Sequence, residues 1–362
     1  MSLPSTDGAQ CARSSCPSPR RSHGVPTEVE GFHGLLCPKK GLRVLVAAVH
    51  SPDLRSGDHM HVVSASRRTD IPAFHAGWFM NRILARSVKV VSPFGARVFA
   101  VSLAPEDVIA IVFWTKNPAP LLPHLKELRD RGHCFTFLYT INHYPPLLEP
   151  AVPQLGHTLR VVEEIAKQFP GSGMRWRYDT IVLTETLDMA WHARNFAELC
   201  RLLAPYVSEC IFSFCDYYRK TIRNMELHVP DHRKPDETQS LRIAGELAQI
   251  AAEQEISMAS CAHDYLVSGR IRKARCIDPV FLTGVADSLE RNEALEALKT
   301  APTRKECACA ASRDIGAYDT CGHGCTYCYA NNKPEVARKN LETLAPHAEC
   351  LDLRYTQIAA SG

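Results

Sequence analysis

The chain has 362 residues, of which 45% are hydrophobic and 22% are charged, and its formal net charge is +3. This length can bury a sizeable core and corresponds to one large domain or two small ones. The small net charge singles out neither nucleic acid nor an acidic substrate. No apolar run approaches the roughly 18 residues that a membrane-spanning helix needs, and no apolar stretch of a twin-arginine signal follows Arg20-Arg21. We therefore expect a cytoplasmic protein with no membrane partner.

Fifteen cysteines are unusual for a cytosolic chain of this length. A secreted disulfide scaffold is normally shorter and carries a signal peptide. Without such a signal, clustered cysteines indicate metal binding or catalysis more often than disulfides.

Residues 1–59 differ in composition from the rest of the chain. Their first half is rich in Ser, Pro, Gly and Arg without a sustained period, which is typical of disorder. We expect a disordered or poorly structured extension here and a folded domain that begins near Met60. Three cysteines of the extension are treated as incidental, namely Cys11, Cys16 and Cys37.

From Met60 onward, short apolar runs alternate with amphipathic stretches, which predicts strands followed by helices. The predicted strands are 61–66, 108–115, 135–141, 174–182, 210–214 and 256–260. The predicted helices lie near 72–86, 119–131, 155–168, 188–204, 237–253 and 335–344. Asp236 and Gln239 have the spacing of a capping box, and Pro72 and Pro120 suit a first helical turn. We expect a barrel-like domain over 60–300 and a C-terminal segment over 301–362 packed on it.

Six strand–helix units in a row indicate an open doubly wound sheet or a full or partial (β/α) barrel of about six parallel strands. No GxGxxG or Walker loop opens a helix, so nothing directly supports a nucleotide-binding doubly wound sheet. The predicted strands end in polar side chains, which in a TIM barrel-like fold face one active site. These residues are Ser64, Ser66, Arg67, Arg68, Asp70, Thr115, Lys116, Asn117, Asn142, Arg177, Asp179, Asp216, His263 and Asp264. Any single one can instead be a turn or capping residue.

The strongest motif is Cys321-Gly-His-Gly-Cys325-Thr-Tyr-Cys328. Three thiolates so close in sequence cannot share one rigid helix face, so they need a loop wrapped around a metal centre. Zinc ions and cubane clusters usually take four protein ligands. Three cysteines leave one position open, which suits a 4Fe–4S cluster whose free iron binds S-adenosylmethionine (SAM). The alternative is a structural zinc site completed by Cys307, Cys309 or His323.

The motif resembles the CxxxCxxC signature of the radical SAM superfamily, with an aromatic residue, here Tyr327, before the last cysteine. The resemblance implies a 4Fe–4S cluster on Cys321, Cys325 and Cys328, and packing of Tyr327 on the adenine of SAM. It also implies reductive cleavage of SAM to a 5′-deoxyadenosyl radical. In that superfamily the motif usually follows the first strand, whereas here it lies near the C-terminus.

The C-terminal position of the motif is similar to that in a family of uncharacterised bacterial proteins, a domain of unknown function with a radical-SAM-like cysteine cluster. The resemblance extends over nearly everything after Met60. The matching stretches are Ser64-Ala-Ser-Arg-Arg-Thr-Asp-Ile-Pro72, Phe113-Trp-Thr-Lys-Asn-Pro118, Trp176-Arg-Tyr-Asp179, Cys276-Ile-Asp278 and Ser312-Arg-Asp-Ile-Gly316 through Asn331. The family has no established reaction, so this resemblance implies the cofactor and leaves the substrate open.

Four more cysteines could form a second metal site, either an auxiliary iron–sulfur cluster or zinc. They are Cys261, Cys276, Cys307 and Cys309. The alternative is that they are small core residues.

SAM laid across the strand ends would need a cation for its carboxylate and polar groups for its ribose. Arginine is suited to the carboxylate because it can donate two parallel hydrogen bonds. The candidate cations are Arg67, Arg68, Lys116 and Arg177, and the candidate ribose ligands include Asn117 and Asp179. A structural ion pair is the alternative for each Arg–Asp pair.

The sequence therefore favours a radical SAM enzyme with an unknown substrate and an electron donor such as flavodoxin or ferredoxin. The alternative is a non-catalytic zinc or iron–sulfur module that holds a partner on the barrel rim. The charged strand ends count against that alternative, because a scaffold does not require them. Nucleic acid is not supported as a substrate, since no basic run or RNP-like pattern is present, and no feature rules it out.

Overall fold

The structure is a computed structural model and describes residues 60–93, 95–170 and 173–360. The extension expected over 1–59, with its three cysteines, lies outside the described residues. Within the described ranges, no helix combines the length and the apolar character required to cross a membrane.

The described residues form ten strands and eleven α-helices. The strands are β1 His61–Ala65, β2 Ser87–Val91, β3 Val98–Ser102, β4 Val108–Thr115, β5 Phe135–Thr140, β6 Met174–Ile181, β7 Glu209–Phe214, β8 Ser257–Ser260, β9 Ile271–Lys273 and β10 Arg313–Asp314. The helices are α1 Ile71–Phe74, α2 Ala76–Leu84, α3 Leu122–Asp130, α4 Leu155–Gln168, α5 Met189–Leu203, α6 Arg219–His228, α7 Glu237–Glu253, α8 Pro279–Thr283, α9 Leu289–Glu296, α10 Pro334–Thr343 and α11 Arg354–Ala360. Short 3₁₀ turns cover Ala119–Leu121 and Asp264–Leu266.

Eight strands form one sheet in the order β10-β1-β4-β5-β6-β7-β8-β9, and every neighbouring pair is parallel. The strands β2 and β3 form a separate antiparallel pair. Within the described residues the edge strands β9 and β10 do not pair with each other, so the sheet is open. The fold is thus mixed α/β, and the expected barrel is not confirmed because no closed barrel forms.

The six predicted strands are confirmed as β1 and β4–β8, but the expected total of about six is too low. The additional strands β9 and β10 contain only three and two residues, too few for a pattern of hydrophobicity to be visible. The capping box of α7 is confirmed, because Asp236 accepts from the Gln239 amide and Gln239 accepts from the Asp236 amide.

The central strand β4 is buried along its whole length, on both faces of the sheet. On one face Phe113 belongs to the core that also contains Phe79 and Leu125, from helices α2 and α3. On the other face Val112 belongs to a second core with Leu295, from α9. Burial on both faces explains why the sequence of β4 is a continuous apolar run.

The C-terminal segment contributes β10 to the sheet, beside β1, with Ser64 opposite Asp314. The Asp314 carboxylate accepts hydrogen bonds from the hydroxyls of Ser64 and Ser66, the amides of Arg67 and Gly316 and the guanidinium of Arg68. Burial alone would raise the pKa of Asp314, but the charge of Arg68 and these hydrogen bonds outweigh it and lower the pKa below its ordinary value. This carboxylate therefore fastens the C-terminal segment to the carboxyl end of β1.

We predict that Asp314→Asn lowers the free energy of unfolding by about 3 kcal/mol, because it leaves the guanidinium of Arg68 buried without its counter-charge. Urea unfolding measures the effect. Asp130→Asn is the control, because Asp130 forms an exposed pair with Lys126 and such pairs contribute less than about 1 kcal/mol. Equal effects of the two substitutions would contradict the role given to Asp314.

Candidate metal centre at the carboxyl edge of the sheet

The motif residues 321–328 form a loop, here called the cysteine loop, that lies against the carboxyl ends of β1 and β4. His323 Nε2 lies 2.8 Å from Asp70 Oδ2. The same aspartate accepts from the Thr115 hydroxyl and the Lys116 amide, each at 2.7 Å, and from the Ala73 amide at the start of α1. Asp70, in the segment that follows β1, thus joins the end of β4, the start of α1 and the cysteine loop.

The second ring nitrogen of His323 lies 3.2 Å from the carbonyl oxygen of Ala151. Both nitrogens therefore face oxygen acceptors of the protein. The ring also packs edge-on against Phe74, at 4.7 Å between centroids. In this arrangement His323 anchors the loop, and neither nitrogen is available as a fourth metal ligand.

Tyr327 anchors the other half of the cysteine loop in a buried polar network. Its hydroxyl donates to Glu149 and accepts from the Asn142 amide at 3.1 Å. Glu149 also accepts from Lys116 Nζ at 2.7 Å and from Asn142 at 2.9 Å. The Tyr327 ring packs against Tyr144, at 6.1 Å between centroids. The residue expected to pack on adenine is therefore buried against the ends of β4 and β5.

Burial alone would raise the pKa of Glu149, but the charge and hydrogen bond of Lys116 outweigh it, together with Tyr327 and Asn142. The result is a lowered pKa of the Glu149 carboxyl. Burial would likewise lower the pKa of Lys116, yet its pKa is raised by Glu149 and by the neighbouring Cys325. The pair is thus ionised because each charge compensates the other.

The three thiols of the loop are free and half-buried. Burial raises the pKa of each of them. Cys328 Sγ accepts hydrogen bonds from the amides of Ala330 and Asn331 at 3.2 and 3.4 Å, and the Asn331 side chain donates to the Cys321 carbonyl at 2.7 Å. Metal binding requires thiolates, whereas burial stabilises the protonated thiols. Binding would therefore have to release these protons.

Cys325 and Cys328 line an open pocket of about 280 Å³ beside the loop. Other lining residues come from the segment after β5, from α6 and from the start of α10, among them Pro146, Leu147, Asn224, His228 and Glu335. A ligand in this pocket would reach two of the three thiols directly.

The donor set of the loop fits a soft metal or an iron–sulfur cluster, because three unpaired thiols share one short segment that contains glycine. Gly324 adopts a positive φ of 68°, which lets the chain turn sharply between Cys321 and Cys325. Across the described ranges, however, no group of three or more His, Cys, Asp or Glu residues is already arranged to hold a metal ion. The loop thus has the ligands without a closed coordination geometry.

The four cysteines of the expected second site lie close to one another. Cys261 and Cys276, which follow β8 and β9, have their sulfur atoms 3.8 Å apart. Cys309 is buried in the same apolar cluster as these two cysteines, and Cys307 packs against that cluster. Arg304 Nη2 lies 3.5 Å from Cys261 Sγ.

Of the residues expected to bind SAM, Arg67 and Arg177 have their guanidinium groups over the ring of Trp114, at 5.0 and 4.8 Å. Arg177 also forms an ion pair of 2.5 Å with Asp179. Asp179 accepts a further hydrogen bond from the Ser213 hydroxyl. These residues come from β4, β6, β7 and the segment directly after β1, so the sheet brings distant parts of the chain together.

Two further residues expected to bind SAM, Arg68 and Asn117, make local contacts in the structure. Both ends of the Arg68 guanidinium contact Asp314, through its carboxylate and its carbonyl, each at 3.0 Å. Asn117 accepts from the Ala119 amide and donates its own amide to Thr115. Their contacts are those of the structural alternatives, an ion pair and a turn.

Three residues of this edge were not predicted from the sequence, namely Glu149, Asp314 and Trp114. Glu149 lies in a proline-containing connection after β5 and has no local pattern, because its partners come from β4 and the cysteine loop. Asp314 belongs to a stretch that carries the family resemblance, which was the available signal. Trp114 also lies in a stretch that carries the resemblance, but it continues the apolar run of β4 and is therefore read from sequence as core.

We predict that Glu149→Gln lowers the free energy of unfolding at pH 7 by about 3–5 kcal/mol, because the Lys116 ammonium is left buried without its partner. The double variant Lys116→Met/Glu149→Gln should lose less than the sum of the single variants. Since the folded pKa of Glu149 is lowered, its contribution is fully present above the ordinary value of 4.5 and disappears as the pH falls through the folded pKa. The difference between wild type and Glu149→Gln should therefore narrow below that value, and a difference independent of pH would argue against the pair.

We predict that His323→Gln raises amide hydrogen exchange in residues 321–331 by about tenfold or more. A hydrogen bond to a charged group contributes about 1.5–3 kcal/mol, and each 1.4 kcal/mol is about a factor of ten in opening. Hydrogen-exchange mass spectrometry measures the exchange rate of these amides, with peptides of Phe135–Thr140 in β5 as the internal control. Equal changes in both regions would show that the histidine stabilises the whole fold and not the loop.

Comparison with known proteins gives one positive result. The family described as "Domain of unknown function (DUF1848)" matches residues 62–330, which include the central strands of the sheet and the complete cysteine loop. Neither a curated protein nor a solved structure matches the chain. Because the match covers most of the sequence, the chain belongs to the DUF1848 family.

Proposed function

We propose that this chain is a radical SAM enzyme whose cysteine loop holds a 4Fe–4S cluster on Cys321, Cys325 and Cys328. The observation that carries the proposal is the attachment of the loop, through His323 and Asp70, to the carboxyl ends of β1 and β4. In parallel α/β sheets, ligands bind at this edge. A structural zinc loop binds no substrate and therefore does not need to lie at this edge.

When bound, such a cluster supplies reductive cleavage of SAM to a 5′-deoxyadenosyl radical that acts on an unknown substrate. The contribution of the chain is to hold the cofactors and to exclude water. His323 and Tyr327 fix the two ends of the loop against the sheet. Asn331 closes the loop through the Cys321 carbonyl.

Arg177 and Trp114 support a carboxylate-binding role at the strand ends. Arg177 Nε and Trp114 Nε1 are buried hydrogen-bond donors that find no acceptor in the described part of the chain. A buried donor without a partner is costly, so a ligand oxygen is expected to satisfy both. Arg67, over the same ring, adds positive charge. We propose that these three residues bind the carboxylate of SAM or of the substrate.

Lys116 and Tyr327 have positioning roles in this proposal. Lys116 compensates the charge of Glu149, and its Nζ lies 5.7 Å from the centroid of the Tyr327 ring. Lys116 and Tyr327 thereby help to hold Cys325 at the pocket. We also propose that the parallel strands curve as a partial barrel with the pocket at its mouth. An electron donor such as flavodoxin or ferredoxin would approach the loop from that side.

The competing function is a zinc or iron–sulfur module without catalysis. It is compatible with the thiols but leaves the unpartnered donors of Arg177 and Trp114 unexplained. The two functions differ in the metal bound and in the fate of SAM.

The test uses the full chain, purified and reconstituted with iron and sulfide without oxygen. About four irons per chain are expected on the loop, with release of 5′-deoxyadenosine when SAM and a reductant are added. Cys325→Ala should lose the loop iron and the activity. Cys200→Ala should keep both, because Cys200 is buried on α5, outside both cysteine groups. Zinc without iron, and no cleavage of SAM, would refute the enzyme and support the module.

A further inference from the structure

We propose that Cys261, Cys276, Cys307 and Cys309 bind one zinc ion in a site separate from the cysteine loop. The proposal does not rest on the function proposed above, since the two sites share no ligand. It chooses between the auxiliary cluster and zinc that the sequence left open.

The sulfur separation of Cys261 and Cys276 is the first argument for a single ion. Their Sγ atoms are 3.8 Å apart. With zinc–sulfur bonds of about 2.3 Å, two ligands of a tetrahedral ion lie about 3.8 Å apart. A disulfide would need about 2.05 Å. In a cubane cluster the cysteines bind different irons and therefore lie farther apart than two ligands of one ion. The distance thus matches one edge of a mononuclear thiolate site.

Backbone pairing brings the third cysteine beside this edge. The Ala310 amide donates to the Ile277 carbonyl at 3.0 Å, which places Cys309 next to Cys276. Cys309 is buried in the same apolar cluster as Cys261 and Cys276, and Cys307 packs against that cluster. The four cysteines therefore lie in one part of the core. Since no described group of three donors yet surrounds one point, binding requires Cys307 and Cys309 to turn toward the Cys261–Cys276 edge.

The surrounding charges fit a zinc–thiolate centre, which carries a net negative charge when four thiolates bind one Zn²⁺. Arg304 lies 3.5 Å from Cys261 Sγ. This arginine supplies a compensating positive charge, without which a thiolate cluster in the core would be costly.

Four protein ligands make a closed site, which is the structural type of zinc centre. The ligands come from three segments: the end of β8, the residues after β9 and the connection that leads to β10. Zinc here would fasten that connection to the sheet and hold Arg304, which pairs with Asp216 at the end of β7. The site would thus help to position the chain that precedes the cysteine loop.

The test counts zinc and iron in the full chain with the loop disabled by Cys321→Ala, Cys325→Ala and Cys328→Ala. About one zinc per chain is expected in this triple variant. Adding Cys276→Ala should remove the zinc, whereas adding Cys200→Ala, the same change at a buried cysteine elsewhere, should leave it. Because the loop thiols are absent, failure of the radical SAM proposal cannot alter this count.

An organomercurial titration of the triple variant provides a second readout that does not depend on folding of the Cys276→Ala chain. Zinc should be released as the thiols react. The proposal is overturned if the triple variant holds no zinc, or if its zinc persists without Cys276. Iron with sulfide in the triple variant would identify an auxiliary cluster and would equally overturn the proposal. A disulfide between Cys261 and Cys276 would do the same.

Discussion

The carboxylate of Asp314 is the interaction on which the position of the candidate site depends. It gathers hydrogen bonds from the end of β1 and an ion pair from Arg68, although it lies more than two hundred residues away in sequence. The strand that carries it has two residues, so backbone pairing alone would hold it weakly. By fixing this strand beside β1, Asp314 directs the following residues across the carboxyl edge of the sheet, where Asp70 receives His323.

The carboxyl edge contains several buried charges that are tolerated because each is paired. Lys116 with Glu149, and Arg177 with Asp179, have side chains that are less than one-fifth exposed. Such pairs contribute little net stability compared with apolar packing, and breaking one is expensive. Their arrangement is therefore better explained by the placement of the cysteine loop and of a ligand than by stability.

The sequence was sufficient for the elements that are set by local pattern. The apolar run of β4 and the capping box at Asp236 both predict their elements, because burial and capping leave a signal in neighbouring residues. The strand β10 was missed because it has only two residues and its pairing depends on contacts of Asp314 with the distant end of β1. Glu149 was missed because its partners, Lys116 and Tyr327, also lie far from it in sequence. The cysteine motif predicted the donors, but the anchoring role of His323 and the burial of Tyr327 follow from contacts with β1, β4 and β5.

The central claim is that the cysteine loop holds a cluster with one iron open to SAM at the carboxyl edge of the sheet. The most direct measurement is the electron paramagnetic resonance spectrum of the reduced, reconstituted chain with and without SAM. The account predicts a 4Fe–4S signal that changes on addition of SAM and is lost in the variant without Cys321, Cys325 and Cys328. A signal that SAM leaves unchanged, or one that persists without these cysteines, would contradict it.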